Sequence, residues 1–277
     1  MTHSRIVALP SGGDVHVEGL ANGPAVLFFH GVGGGAWSWA PQRASFAATH
    51  RVYTWEARGH GAAAHVDDAG FADYLEDARE ALAFVLADEA RDEPAPFIVG
   101  HSMGGLIATI LAADDAPVRG LALIDPVYNE GNQSHVAPPF RALANVLMGP
   151  LMQSAQRGGP LARTIGRAVF NASFTDRAAR DAAWIHQRAQ IPLEFPRMFT
   201  EGIAGVEGVA FRPFARDVRV PTLLINGRFP VLRVALRERL GARLHDETMA
   251  GGHYLQLDRP AAVTERLARF FDETARS

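Results

Sequence analysis

Cysteine is missing from all 277 residues. A disulfide framework, a thiolate metal site and a cysteine nucleophile are therefore excluded. Lysine is missing too, so the 27 positive charges are all arginine. This arginine-rich, alanine-rich make-up fits a GC-rich bacterial genome better than a binding role. Net charge is only −3, which gives no electrostatic reason to expect nucleic acid or an anionic membrane as a partner. No apolar run approaches the roughly 18 residues of a membrane span. Residues 1–10 lack the long apolar stretch of a signal peptide, and a cytoplasmic location is the expectation. What is present points to a packed core: 48% of the residues are hydrophobic and 21% charged, close to globular averages. The length suits one large α/β domain, or a core domain carrying an insertion.

Short apolar runs alternate with helix-compatible stretches. Residues 5–9 and 15–18 flank the turn-rich Pro10-Ser11-Gly12-Gly13-Asp14 and predict an opening hairpin. Residues 25–29 are continuously apolar, as in a strand buried on both faces of a parallel sheet. Further strands are expected at 51–55, 120–124, 220–225 and 242–248. Phe71, Tyr74, Ala78, Ala81 and Val85 share one side of a helix over 71–90, and 263–274 reads as a closing amphipathic helix. Strands alternating with helices argue for a mostly parallel sheet flanked by helices. Residues 127–217 break the rhythm: they offer helical candidates around 140–152, 161–170 and 175–190 and no convincing strand. The expected division is a core of 1–126 with 218–277 and a helical cap insertion at 127–217.

The most informative segment is Pro96-Phe97-Ile98-Val99-Gly100-His101-Ser102-Met103-Gly104-Gly105. A buried strand runs into a G-x-S-x-G turn and then a helix, the setting of a nucleophile elbow. Side chains two positions either side of the serine would collide with the turn, so glycine is required at 100 and 104. Serine needs a base within hydrogen-bond reach. Of the 11 histidines, His253 sits in Gly251-Gly252-His253-Tyr254, a loop between the last strand and the last helix, where it can meet the elbow. His101 and His60 read as structural. An oxyanion needs donors, each typically worth about 3–4 kcal/mol in the transition state. His30-Gly31-Val32-Gly33-Gly34-Gly35 follows a strand, and the expected pair is the amides of Val32 and Met103. A phosphate-binding loop is a poor rival, since neither glycine-rich phosphate spacing is present. His30 reads as a brace for the loop, Glu56 and Arg58 as an ion pair bracing the next turn, and Asp258 as a residue near an N-cap before Pro260.

His30-Gly31, Arg58-Gly59-His60-Gly61, Gly100-His101-Ser102-Met103-Gly104-Gly105 and Gly252-His253 occur in the order seen in the α/β-hydrolase superfamily. The chain resembles its capped esterase, lactonase and haloperoxidase-like branch across essentially its whole length, most specifically in the core. The resemblance implies an α/β-hydrolase fold, Ser102 as nucleophile, His253 as base, Val32 and Met103 as oxyanion hole, and neither metal nor organic cofactor. It also implies a small-molecule substrate, an ester or lactone cleaved through an acyl-enzyme. Rival readings on the same scaffold are C–C bond hydrolysis, cofactor-free oxygenation and a non-catalytic small-molecule receptor.

The acid departs from the common pattern. Many relatives carry it in a loop after the strand at 220–225, yet Asn226-Gly227-Arg228-Phe229-Pro230-Val231 holds no carboxylate. Some branches place it at the end of the strand after the elbow helix, and there stands Asp125, which keeps the order Ser, Asp, His. Asp-Pro can also simply cap that turn. A triad without its acid, or a cap-borne carboxylate such as Glu130, are the alternatives. Phe140, Leu147, Met148, Met152, Trp184, Met198 and Phe199 suit either a pocket lining or ordinary packing within the cap.

Overall fold

The computed structural model describes residues 4–61, 69–88, 95–126, 164, 167, 168, 170–190, 217–227 and 240–276. The strands are β1 (Arg5–Ala8), β2 (Asp14–Gly19), β3 (Ala25–Phe29), β4 (Arg51–Glu56), β5 (Phe97–His101), β6 (Gly120–Ile124), β7 (Thr222–Asn226) and β8 (Leu244–Thr248). The helices are α1 (Ala40–Phe46), α2 (Phe71–Ala87), α3 (Met103–Ala113), α4 (Arg177–Gln190), α5 (Leu255–Asp258) and α6 (Pro260–Ala275). The eight strands form one sheet in the order β1-β2-β4-β3-β5-β6-β7-β8. β1 and β2 make the expected antiparallel hairpin, β2 pairs antiparallel with β4, and every other pairing is parallel. This is the α/β-hydrolase fold that the order of motifs implied.

The continuous apolar runs are explained by two cores, one on each face. Leu27, Phe29, Ile98, Leu121, Leu123 and Leu224 pack with α2 and α3. Val26, Phe28, Val99, Ala122, Ile124 and Ile225 pack with α1 and α6. Successive side chains point to opposite faces, so a strand covered on both sides must be apolar throughout. All five residues foreseen on the α2 face are buried.

Element ends moved for local reasons. Pro221 has no N–H to give a ladder, and β7 starts at Thr222. Gly241 at φ 52° opens a 3₁₀ turn over Gly241–Arg243, so β8 begins at Leu244. Helix α2 stops at Ala87 because Asp88 leaves helical geometry (ψ 98°) and pairs with Arg51 Nη2 at 2.7 Å. α6 begins at Pro260, whose fixed φ suits the first helical position. The candidate cap helix at 175–190 is α4, with Asp176 Oδ1 accepting the Ala179 amide ahead of it at 2.9 Å. The candidate helix around 140–152, most of that at 161–170, Glu130, Phe140, Leu147, Met148, Met152, Met198 and Phe199 lie outside the described residues. Among those described, no helix is long and apolar enough to cross a membrane.

Candidate active site

The carboxyl edge of the sheet collects the candidate residues beyond the ends of β3, β5, β6 and β8. Ser102 follows β5 and opens α3 with φ 53° and ψ −119°, a left-handed conformation costly for a residue with a side chain. Its surroundings explain the glycines. A Cβ on Gly100 would strike the Gly104 carbonyl oxygen, and one on Gly104 would lie 2.5 Å from the His30 oxygen. Gly31 plays the same part across the site, since a Cβ there would sit 2.8 Å from Ser102 Cβ. The serine is buried yet keeps 7% of its surface open.

Three residues separated widely in sequence form a continuous hydrogen-bonded chain. Ser102 Oγ lies 2.9 Å from His253 Nε2, and His253 Nδ1 lies 2.6 Å from Asp125 Oδ2. A carboxylate only accepts, so Nδ1 carries the proton and Nε2 is left to accept the serine O–H. Asp125 follows β6 at φ 40°. Its second oxygen accepts the Gly227 amide at 2.8 Å, which fixes the carboxylate between β7 and the histidine loop. One oxygen thus faces His253 and the other holds the residue after β7. The carboxylate missing after β7 is replaced by an amide pointing at Asp125.

The glycine loop after β3 lies against this chain. Among the described residues, neither the Val32 nor the Met103 amide has a hydrogen-bond partner, while three other amides of the glycine loop are engaged. The Gly34 amide donates to the Gly31 carbonyl at 2.9 Å, the Gly33 amide to His60 Nε2 at 3.1 Å, and the Ala36 amide to Glu56 Oε1 at 2.8 Å. His30 Nδ1 donates to the Gly31 carbonyl at 2.8 Å, and its Nε2 accepts the Ala57 amide at 3.1 Å. Both imidazoles are fully buried and kept neutral: burial lowers His30, and burial together with His30 pushes His60 down to about 3. A neutral ring can accept an amide, and a protonated one cannot. His30 and His60 are braces, as their motifs suggested.

Arg58 departs from expectation. It turns away from Glu56 to the buried Asp77, with Nε at 2.9 Å and Nη2 at 2.5 Å from Oδ1, while the Arg58 amide reaches Oδ2 at 3.0 Å. Glu56 instead faces His16 Nε2 at 3.1 Å. A carboxylate one helix away can meet both the guanidinium and the amide; one two residues back on a strand cannot.

Asp258 adjoins the N-cap of α6 as expected, but its carboxylate serves more distant partners. It ends α5, and Arg259 is the residue preceding α6. The Asp258 carboxylate is buried and accepts from Gly252, Thr175 and Asp176. Nothing in the local pattern Leu257-Asp258-Arg259-Pro260 signals those partners. His101 is buried beside the base; its Nε2–H donates to the His253 carbonyl at 2.9 Å. Burial first, then the neighbouring His253, hold it well below the usual histidine range. An aromatic group of Phe170, Phe174 and Tyr254 covers this flank, with Phe174 and Tyr254 stacked at 4.9 Å. Trp184 of α4 packs against it. Among the described residues no cluster of histidine and carboxylate side chains has the makings of a metal site.

Comparison with known proteins agrees with this architecture. The model of the alpha/beta hydrolase family matches residues 26–266. A protein of Variovorax paradoxus (strain S110) named as a carbamate hydrolase, RutD, is 39% identical over 271 residues, covering 92% of this chain and 94% of its own. A pimeloyl-[acyl-carrier protein] methyl ester esterase of Xanthomonas oryzae pv. oryzae (strain MAFF 311018) is 25% identical, covering 92% of this chain and 98% of its own. Among solved structures, an enol-lactonase from Burkholderia xenovorans LB400 superimposes with a TM-score of 0.75 at 19% identity, over 97% of this chain and 100% of that one. That last likeness is one of fold.

Proposed function

This chain belongs to the alpha/beta hydrolase family, and from that premise we propose that it is a serine hydrolase cleaving a small carboxylic ester or lactone through an acyl-enzyme. The observation that carries the reading is the unbroken chain from Ser102 Oγ through His253 to Asp125, at 2.9 and 2.6 Å. His253 Nε2 takes the hydroxyl proton as Oγ attacks the carbonyl carbon. The oxyanion forms against the Val32 and Met103 amides, and His253 returns the proton to the departing alkoxide. Water then enters, His253 takes one of its protons, hydroxide attacks the acyl carbon, and the acid leaves as Ser102 recovers its proton. Asp125 holds the ring in the tautomer with Nδ1 protonated and stabilises the imidazolium formed twice in the cycle. The electrostatic gain is largest where water is excluded, and the aromatic flank of Phe170, Phe174 and Tyr254 supplies apolar cover.

A second reading is hydrolysis of a carbamate, favoured by the 39% identity to a relative named for that reaction across nearly the whole length of both chains. The same residues serve it, because a carbamate carbonyl is attacked in the same way and expels an alkoxide or an amine. Steady-state turnover of a matched series of esters, lactones and carbamates, in the parent and in Ser102→Ala, tests both. Measurable ester or lactone hydrolysis that falls by roughly 10⁴-fold or more in Ser102→Ala is expected. A carbamate with kcat/KM above its matched ester would select the second reading. Turnover equal in parent and variant would remove the serine mechanism altogether.

A further inference from the structure

His253 is carried by a loop anchored both to α5 and to the segment that leads into α4. On its N-terminal side, the Gly252 amide donates to Asp258 Oδ2 at 2.7 Å. On its C-terminal side, the Tyr254 amide donates to the Ser173 carbonyl at 3.2 Å. The same Asp258 Oδ2 accepts the Thr175 amide and hydroxyl, both at 2.8 Å, and Oδ1 accepts the Asp176 amide at 3.1 Å. One buried carboxylate, 4% exposed, therefore joins the peptide beside the base to the residues that lead into α4. Contact is close enough to demand glycine at 252: a Cβ there would strike the Ser173 carbonyl oxygen and lie 2.8 Å from Phe174 Cα. The Phe174–Tyr254 stack extends the same seam. His101 adds a further tether to this peptide, its bond to the His253 carbonyl.

We propose that Asp258 is a positioning residue for the base: it locks the His253 loop to the segment 173–176, so that the placement of α4 sets the placement of the imidazole over Ser102. This rests on reading Ser102 and His253 as nucleophile and base. A displacement of segment 173–176 is passed to Gly252 through Asp258 and to Tyr254 through Ser173, and His253 lies between the two. Helix α4 thereby acts on the proton transfer without touching a reacting atom.

Three variants grade the lock. Thr175→Val removes one donor from the helix side. Asp258→Asn keeps an acceptor oxygen but sets an amide group against one of the N–H donors. Asp258→Ala removes every bond. A misplacement of about 1 Å can cost about 100-fold in rate. The expected order of kcat is parent, Thr175→Val, Asp258→Asn, Asp258→Ala, with a loss of about 100-fold at Asp258→Ala and KM within about threefold. A role confined to docking α4 would instead raise KM and leave kcat unchanged, and that result overturns the proposal. A second readout needs no turnover: the NMR signal of the proton shared by His253 Nδ1 and Asp125. It should shift or broaden in Asp258→Asn while circular dichroism stays that of the parent. An unchanged signal in folded Asp258→Asn overturns the proposal. If Ser102→Ala retained the parent's turnover, the acyl-enzyme reading would fall, and this NMR signal alone would still decide the role of Asp258.

Discussion

Ser102 and Asp125 hold φ at 53° and 40°, and each such backbone costs of order 1–3 kcal/mol. Both strained positions carry the side chains that His253 bridges. The two oxygens of Asp125 make one substitution informative. In Asp125→Asn the carbonyl oxygen must stay on the Gly227 amide, because that donor needs an acceptor. The NH₂ group then faces His253 Nδ1 and drives the imidazole proton onto Nε2, where the ring can no longer accept from Ser102. Turnover of an ester should fall by about 10⁴-fold with the circular dichroism unchanged; a rate within tenfold of the parent would remove Asp125 from the mechanism. That Ser102, Asp125 and His253 would meet was legible in sequence, because the elbow turn, the aspartate after β6 and the glycine-flanked histidine loop all lie at one sheet edge. Asp258 was not. Its partners Thr175 and Asp176 lie 83 and 82 positions away, and an aspartate before Arg-Pro looks the same whether it caps a helix or ties two segments together.

At the scale of elements, burial on both faces made the strands readable, since a strand between two cores admits no polar alternation. Their pairing order and the antiparallel β2–β4 contact come from tertiary packing and have no local mark. Side-chain bridges between elements were harder still. Arg58 is tied to Asp77 on α2, 19 residues on, and not to the nearer Glu56. That bridge fixes the turn bearing His60, which in turn holds the Gly33 amide of the glycine loop. Asp77 is fully buried and Arg58 is only 12% exposed, so Asp77→Ala leaves a guanidinium in the interior without its main partner. Urea unfolding should show a loss of about 3–5 kcal/mol. A loss under about 1 kcal/mol would mean that water or Asp73 takes over, and that the turn does not depend on Asp77.

Taken as a whole, the molecule seats three neutral histidines, His30, His60 and His101, beneath the candidate site. All three are lowered below 6.5, chiefly by burial, and His60 to about 3. The unfolded chain takes up protons on these rings as pH falls past 6.5, while the native state resists. Their contribution to stability is therefore complete above pH 6.5 and is lost progressively on acidification, for His60 at about 1.4 kcal/mol per pH unit until its folded pKa of about 3 is approached. His60→Asn should flatten the fall in stability between about pH 5.5 and 4 by that amount, as measured by denaturant titration at each pH. An unchanged slope would show that His60 is protonated in the native protein. The proposed chemistry requires Ser102 to be a nucleophile activated by His253. Reaction with a fluorophosphonate, followed by intact-mass and peptide-mapping mass spectrometry, tests this most directly. One adduct per chain is expected, on Ser102, formed orders of magnitude more slowly in His253→Ala. No adduct, an adduct on another residue, or equal rates in the two proteins would contradict it.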